Sequence, residues 1–210
     1  MQNYVYLVGD PATHHAAVID PAWDIPSILQ AAEQDGYTVT KILLTHTHQD
    51  HTGGQLFGYH IPGVVELLQQ LDIPVYVHKS EAHILQDVPA SSKVLTENAQ
   101  VVEVGEHVQI TLLHTPGHTP GSQCFLVQNK LISGDTLFIG SCGRVDLPHS
   151  SPEDMYHSLT KVLMRLDDDT VLYPGHNYAW KPTSTIGEER LSNPYVQFTS
   201  LHDFLRAMGY

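Results

Sequence analysis

Short apolar runs bounded by Gly, Pro, Asn or Asp punctuate the chain, a pattern of strands and short helices rather than of long helices. Residues 4–8 and 16–19 are β-favouring runs separated by Gly9-Asp10-Pro11-Ala12-Thr13, which predicts a hairpin. A helix follows, with Pro26 in its first turn, Ile25, Ile28, Leu29 and Ala32 on one face and Gly36 at its end. Residues 41–45 read as a buried strand, 63–71 as a helix and 74–77 as another strand. The stretch 101–133 is strand-rich, with 108–112, 124–127 and 131–132 as its clearest pieces. Ser151-Pro152-Glu153-Asp154 is a helix start, continued at helical spacing by Met155, Leu159, Val162, Leu163 and Leu166 until Asp167-Asp168-Asp169. Residues 171–173 read as a strand, and two helices close the chain near 185–192 and 201–208. This order predicts sheet layers covered by helices on the outside. No internal repeat or linker-like shift divides the sequence, so one domain is expected over residues 1–210.

Composition narrows the function classes. With 41% hydrophobic and 16% charged residues the chain has the make-up of a folded globule, neither disordered nor fibrous. A formal charge of -13 repels phosphate backbones and anionic lipid, so neither a nucleic-acid nor a membrane partner is expected. No basic region precedes Gly9-Asp10-Pro11, and no apolar run approaches the roughly 18 residues of a membrane span. The two cysteines, Cys124 and Cys142, match neither a CxxC nor a zinc-ribbon spacing, which reads as a reducing compartment and a cytoplasmic protein. The outlier is histidine, at 15 residues against 10 Lys and Arg.

The histidines cluster where chemistry is expected. After the 41–45 strand comes His46-Thr47-His48-Gln49-Asp50-His51, four potential metal ligands in six residues. In an extended segment alternate side chains share a direction, so His46, His48 and Asp50 converge while His51 turns elsewhere. A helix would instead separate His46 from His48 by about 200°. Three later ligand types each occupy a Gly-bearing turn after an apolar strand: His118 in Pro116-Gly117-His118, Asp135 in Ser133-Gly134-Asp135 and His176 in Pro174-Gly175-His176. Singly these are ordinary turn residues; at neighbouring strand ends they converge on one sheet edge.

The succession HxHxDH, PGHTPGS, SGDTLF and PGH resembles the metallo-β-lactamase superfamily over about residues 4–195. The resemblance implies an α/β fold, the four-layer αββα sandwich, with two divalent metal ions at one edge. One metal would sit on His46, His48 and His118, the other on Asp50, His51 and His176, with Asp135 between them. Five imidazoles and two carboxylates suit zinc, with iron or manganese as alternatives, better than calcium or magnesium. Such metals lower the pKa of bound water and polarise a carbonyl, so hydrolysis needs no protein nucleophile. Asp50 is then the candidate catalytic residue, orienting the hydroxide and taking up its proton. Cys142, near Asp135 in sequence, lacks the His pairing of a thiol nucleophile and is read as a packing residue.

Within the superfamily, this short acidic chain has no room for the nucleic-acid-binding additions of the nuclease branches. Flavoprotein relatives typically carry Glu where His48 stands, and many secreted antibiotic-degrading relatives carry Cys at the Asp135 position. The glyoxalase II type of thioester hydrolase and the persulfide dioxygenases remain. The contexts of Gly53-Gly54 and Thr136-Leu137-Phe138 look like the hydrolases; Gly143-Arg144-Val145-Asp146 and the short step from His176 to Ser184 look like the dioxygenases. The leading expectation is cleavage of a small anionic thioester, of the hydroxyacylglutathione type, by a metal-bound hydroxide. The alternative is a mononuclear iron persulfide dioxygenase using His46, His118 and Asp135, and a third reading is a non-catalytic metal-storing module. Arg144 and Tyr178 match substrate-binding positions of the family; an ion pair between Arg144 and Asp146, and ordinary packing of Tyr178, are the competing readings. Gln197 stands where a further basic contact would be. The other ten histidines, His78, His83 and His114 among them, are read as structural or solvated, and the sequence is silent on oligomeric state.

Overall fold

Two sheets lie face to face in the computed structural model, which describes residues 1–210. The first is built from β1 (Tyr6–Asp10), β2 (His15–Ile19), β3 (Thr38–Leu43), and, beyond a short hairpin of β4 (Gly54–Leu56) and β5 (Tyr59–Ile61), β6 (Val75–His78) and β7 (Lys93–Thr96). Its order is β1-β2-β3-β6-β7, antiparallel in the first hairpin and parallel thereafter. The second comprises β8 (Val101–Val104), β9 (Val108–His114), β10 (Gln123–Val127) and β11 (Lys130–Gly134). A two-residue ribbon, β12 (Leu137–Phe138) with β13 (Ser141–Cys142), precedes β14 (Val171–Pro174) and β15 (Ser184–Thr185), giving the order β15-β14-β11-β10-β9-β8.

Strand periodicity explains why both faces of each sheet are covered. Neighbouring residues of one strand point to opposite sides, and both sides here are apolar: Ala17 and Ile19 face the second sheet while Val18 faces outward. Leu43 against Ile42, Phe125 against Cys124 and Ile132 against Leu131 repeat the division. Between the sheets, Ile19, Leu43, Ile110, Leu112 and Phe125 form a central core. Outside the first sheet, Ile25 and Ala32 of α1 (Ile25–Gln34) and Val64 and Leu67 of α3 (Val64–Leu68) bury against Val18, Ile42 and Val75. Outside the second, Met155 of α4 (Pro152–His157), Ile186 of α5 (Ile186–Ser192) and Phe204 of α6 (Leu201–Met208) do the same. The result is four layers, helix, sheet, sheet, helix, as expected. No helix is long and apolar enough to cross a membrane.

Side-chain caps start the helices where the sequence puts Ser, Thr or Asp: Asp24 accepts from Ser27 N, Ser151 from Asp154 N, Thr185 from Glu188 N and Ser200 from Asp203 N. The predicted helix beyond Ser151 is less regular than its apolar spacing suggests. After α4 the chain widens into a π turn at Ser158–Val162, then tightens into a 3-10 turn at Leu163–Arg165. The Ser158 hydroxyl donates to the Pro116 carbonyl at 2.6 Å, so this irregular stretch braces the loop before His118. At the opposite end of the hairpin, the Asp10 carboxylate accepts from Ala12 N, Thr13 Oγ1, Glu106 N and His107 N, tying β1 to the β8–β9 turn across the sheets. Those donors hold Asp10 well below the usual carboxylate range although its burial opposes this. Both cysteines are free and buried, with burial pushing the Cys124 thiol up to about 11 and that of Cys142 up to about 12. Neither is a poised nucleophile.

Candidate metal centre

Every candidate ligand lies just beyond the carboxyl end of a strand. β3 stops at Leu43, two residues earlier than its apolar run suggests, and residues 44–48 carry His46 and His48 into the edge between the sheets. One helical turn, α2 (Gln49–Thr52), comes next. That turn corrects the expectation of strict alternation: it brings His51 into the site beside Asp50 instead of turning it away. His118 follows β9 on the loop to β10, Asp135 follows β11 and His176 follows β14. Two glycines are required by close approach. A Cβ at Gly175 would lie 2.5 Å from Asp135 Oδ1, and one at Gly143 would lie 1.8 Å from the Asp135 carbonyl oxygen.

The imidazoles are oriented by partners on their outer nitrogens. Asp20, at the end of β2, accepts from Thr45 N at 2.7 Å, from the Thr45 hydroxyl at 2.5 Å and from His51 Nδ1 at 3.0 Å. Because the Thr45 hydroxyl gives its hydrogen to Asp20, its oxygen accepts from His46 Nδ1 at 3.0 Å. His118 Nδ1 donates to the Arg144 carbonyl at 2.9 Å, and His176 Nδ1 to the Met1 carbonyl at 3.1 Å. Four rings therefore present a bare Nε2 inward, while His48 presents Nδ1. Asp20, His46 and His51 also lie close enough to form a ligand trio, but both Asp20 oxygens are already engaged, which makes Asp20 an orienting group.

The inward atoms form two sets. His46, His48 and His118 make one, Asp50, His51 and His176 the other. Asp135 lies between, its Oδ2 3.2 Å from His176 Nε2 and 3.6 Å from His118 Nε2, and its Oδ1 3.3 Å from His51 Nε2. These are acceptors facing acceptors. His118 Nε2 is 3.0 Å from His48 Nδ1, His51 Nε2 is 3.3 Å from His176 Nε2, and both of the latter are 3.5 Å from Asp50 Oδ2. His46 Nε2 is buried with no hydrogen-bond partner at all. Lone pairs so directed are costly unless a cation sits among them. Atoms about 2.0–2.1 Å from one tetrahedral ion stand about 3.3 Å apart, which is the spacing seen. The residues fit a pair of divalent ions.

Electrostatics agrees with that fit. Burial pushes the His46 imidazole well below the usual histidine range and His48 down to about 4, so both stay in the neutral, ligating form at neutral pH. For His51, burial works against charge, but the Asp135 and Asp20 carboxylates outweigh it and raise the imidazole well above its ordinary value. Burial likewise opposes Asp135 ionisation, yet His51 and His176 hold that carboxyl well below the usual range. The pocket of carboxylates thus asks for positive charge, which a proton or a metal ion can supply.

At the rim, the Tyr178 ring stacks on His176 with centroids 4.7 Å apart and planes 5° apart, and packs edge-on against Phe138 at 5.4 Å. It remains 61% exposed, with its outer face open to solvent. The Arg144 guanidinium makes a two-pronged pair with Asp146, both bonds at 2.9 Å, with the two side chains 67% and 62% exposed. Sequence reasoning missed Asp20, although a carboxylate ending an apolar strand repeats the pattern that singled out Asp135. It also missed Asn3 and Trp23, which donate to Asp50 at 2.9 Å and 3.0 Å and carry no local signal.

Comparison with known proteins shows the family. Residues 1–176 match the family described as the metallo-beta-lactamase superfamily. The hydroxyacylglutathione hydrolase of Alkalilimnicola ehrlichii is 38% identical over 176 residues, 84% of this chain and 62% of that protein. The human mitochondrial persulfide dioxygenase ETHE1 is 30% identical over 211 residues, 99% of this chain and 76% of that protein. The crystal structure of ETHE1 from Myxococcus xanthus superposes with a TM-score of 0.85 at 30% identity, covering 99% of this chain and 85% of the other.

Proposed function

The chain belongs to the metallo-β-lactamase superfamily, and we propose that within it the protein is a two-metal thioester hydrolase acting on a small anionic thioester of the hydroxyacylglutathione type. The observation that carries this reading is the completeness of both donor sets around Asp135: all seven side chains converge, three on either side of the shared carboxylate. His46, His48 and His118 would hold one ion and Asp50, His51 and His176 the other, with Asp135 shared. Bound there, zinc, or iron or manganese in its place, lowers the pKa of a coordinated water and polarises a carbonyl. The chain's own residues do the rest. Asp20 and the Met1 and Arg144 carbonyls hold the imidazoles in one tautomer. Asp50 has Oδ2 held by Asn3, which leaves Oδ1 to accept the proton released as water attacks. Tyr178 and Arg144 line the approach for the thiol portion. The free, buried thiols fit a cytoplasmic setting.

The likeness to ETHE1 favours a second reading, in which a single iron on His46, His118 and Asp135 supports persulfide oxidation. One pair of assays separates them. Protein loaded anaerobically with zinc or manganese is expected to cleave S-lactoylglutathione, and Asp50→Asn to abolish cleavage. Oxygen uptake with glutathione persulfide, supported only by iron and surviving Asp50→Asn better than Asp135→Asn, would replace the hydrolase with the dioxygenase.

A further inference from the structure

The segment before β1 reaches the metal centre by backbone pairing. Tyr4 N donates to the Gly175 carbonyl and Asn177 N to the Gln2 carbonyl, each at 2.9 Å, so residues 2–4 lie antiparallel to 175–177 with Asn3 opposite His176. That pairing fixes where the Asn3 side chain begins, independently of what the side chain touches. From there the carboxamide spans to the α2 turn, where Nδ2 donates to Asp50 Oδ2 at 2.9 Å and to the Asp50 carbonyl at 3.1 Å. Its two shortest contacts are both to Asp50, and His51 Nε2 lies farther off at 3.4 Å. The amide orientation is unambiguous, because the flipped form would set Oδ1 against two acceptors.

Two further features separate this contact from ordinary packing. Asn3 Oδ1 is buried without a hydrogen-bond partner, so the amide is held by its donors alone, with its acceptor left unsatisfied. Trp23, whose backbone is in the left-handed region at a φ of 77°, donates its indole N–H to the same Asp50 carbonyl at 3.0 Å. The carbonyl thus has two donors, whereas Asn3 is the only hydrogen-bond donor to the Asp50 carboxylate. Trp23 secures the backbone of the turn, and Asn3 secures the carboxylate.

We infer that Asn3 is the positioning residue of the second metal set: its amide holds Asp50 Oδ2 towards His51 and His176 and leaves the other oxygen free. This rests on the two-metal reading. A hydrogen bond from outside the ligand shell fixes the rotamer of a ligating carboxylate, and its loss typically weakens metal binding about 10–100-fold. The effect belongs to one ion, since Asn3 touches Asp50 and lies 3.4 Å from His51 but makes no hydrogen bond to His46, His48 or His118.

Cobalt(II) titration of metal-free protein, read by the visible bands of each bound ion, tests the assignment without any substrate. Wild-type protein is expected to take up two equivalents. Asn3→Ala and Asn3→Leu are expected to weaken only the second equivalent, by about 10–100-fold, and Trp23→Phe to weaken it less. Leu fills the volume of Asn without its donors, so a wild-type titration of Asn3→Leu would reduce Asn3 to packing and overturn the inference. Equal weakening of both equivalents would overturn it as well, as damage to the whole edge; far-UV circular dichroism and the melting temperature establish folding for each variant. A wild-type protein that takes up a single equivalent would overturn the two-metal reading itself, before any substitution is compared.

Discussion

Asp20 Oδ2 lies 3.0 Å from His51 Nδ1, and this contact decides which nitrogen of His51 faces the other ligands. In Asp20→Asn the carboxamide oxygen can still accept from Thr45 N, which leaves an NH2 group opposite the Thr45 hydroxyl and His51 Nδ1. His51 then carries its proton on Nε2, the atom needed for the metal. The variant is expected to fold with a stability loss of roughly 1–3 kcal/mol and to bind its second metal about 10–100-fold more weakly. Metal analysis after dialysis against a graded chelator, beside a thermal melt, measures both. Two tightly held equivalents would remove Asp20 from the site.

His48 sits in the loop beyond β3 and is only half-buried, with Nδ1 3.0 Å from His118 Nε2. Removing it opens no core cavity. His48→Ala is expected to lose one metal equivalent and most thioester cleavage while its melting temperature in the metal-free state stays within a few degrees of wild type. Full activity in this variant would count decisively against a two-metal hydrolase.

Much of this site is legible in the sequence, and what is not has a physical reason. His46, His48, Asp50, His118, Asp135 and His176 each sit in a short turn after an apolar run, a local pattern that survives folding intact. The direction of His51 does not follow from extended alternation, because beyond His48 the chain makes the α2 turn at Gln49–Thr52. Asp20, Asn3 and Trp23 act on partners 25 to 47 positions away, and such contacts leave no periodicity to read. The β4–β5 hairpin escaped for another reason. Phe57 and Tyr59 at its tip are exposed at 85% and 76%, so its apolar residues obey no inward pattern. Edge strand β7 (Lys93–Thr96) mixes polar and apolar residues without a covered outer face.

Away from the metals, His78 is buried and stacked on His114, with centroids 3.9 Å apart and planes 11° apart. Burial, helped by His114 and Lys79, pushes its pKa down to about 4. Between that value and the unfolded value near 6.5, the unfolded chain binds a proton that the folded chain refuses. Stability therefore falls as pH drops from about 6.5 to 4 and is unaffected by this group above that window. His78→Phe keeps a flat ring and cannot titrate. Its melting temperature is expected to fall less steeply than that of wild type over this range and to match wild type in shape above pH 7. Parallel curves throughout would show that His78 contributes nothing to acid sensitivity.

Arg144 and Asp146 face each other in a two-pronged pair on an exposed rim, so on the proposed function a substrate carboxylate bound by Arg144 would have to compete with that pair. As a stabilising contact it is worth little, because solvent screens an exposed pair and holding two long side chains in one geometry costs entropy, so neither Arg144→Ala nor Asp146→Ala should move the melting temperature by much. For binding, the two substitutions have opposite consequences. A substrate carboxylate that reaches Arg144 must displace Asp146, an isosteric competitor supplied by the chain itself. Asp146→Ala therefore frees the guanidinium and is expected to lower KM for an anionic thioester several-fold, while Arg144→Ala raises it. The contact is remote from the scissile carbonyl, so kcat should change less than KM in both cases. An uncharged thioester with the same acyl group should be indifferent to either substitution. If KM for the anionic substrate is unchanged in both variants, the guanidinium belongs to the surface ion pair alone, and the thiol portion of the substrate is held by other residues.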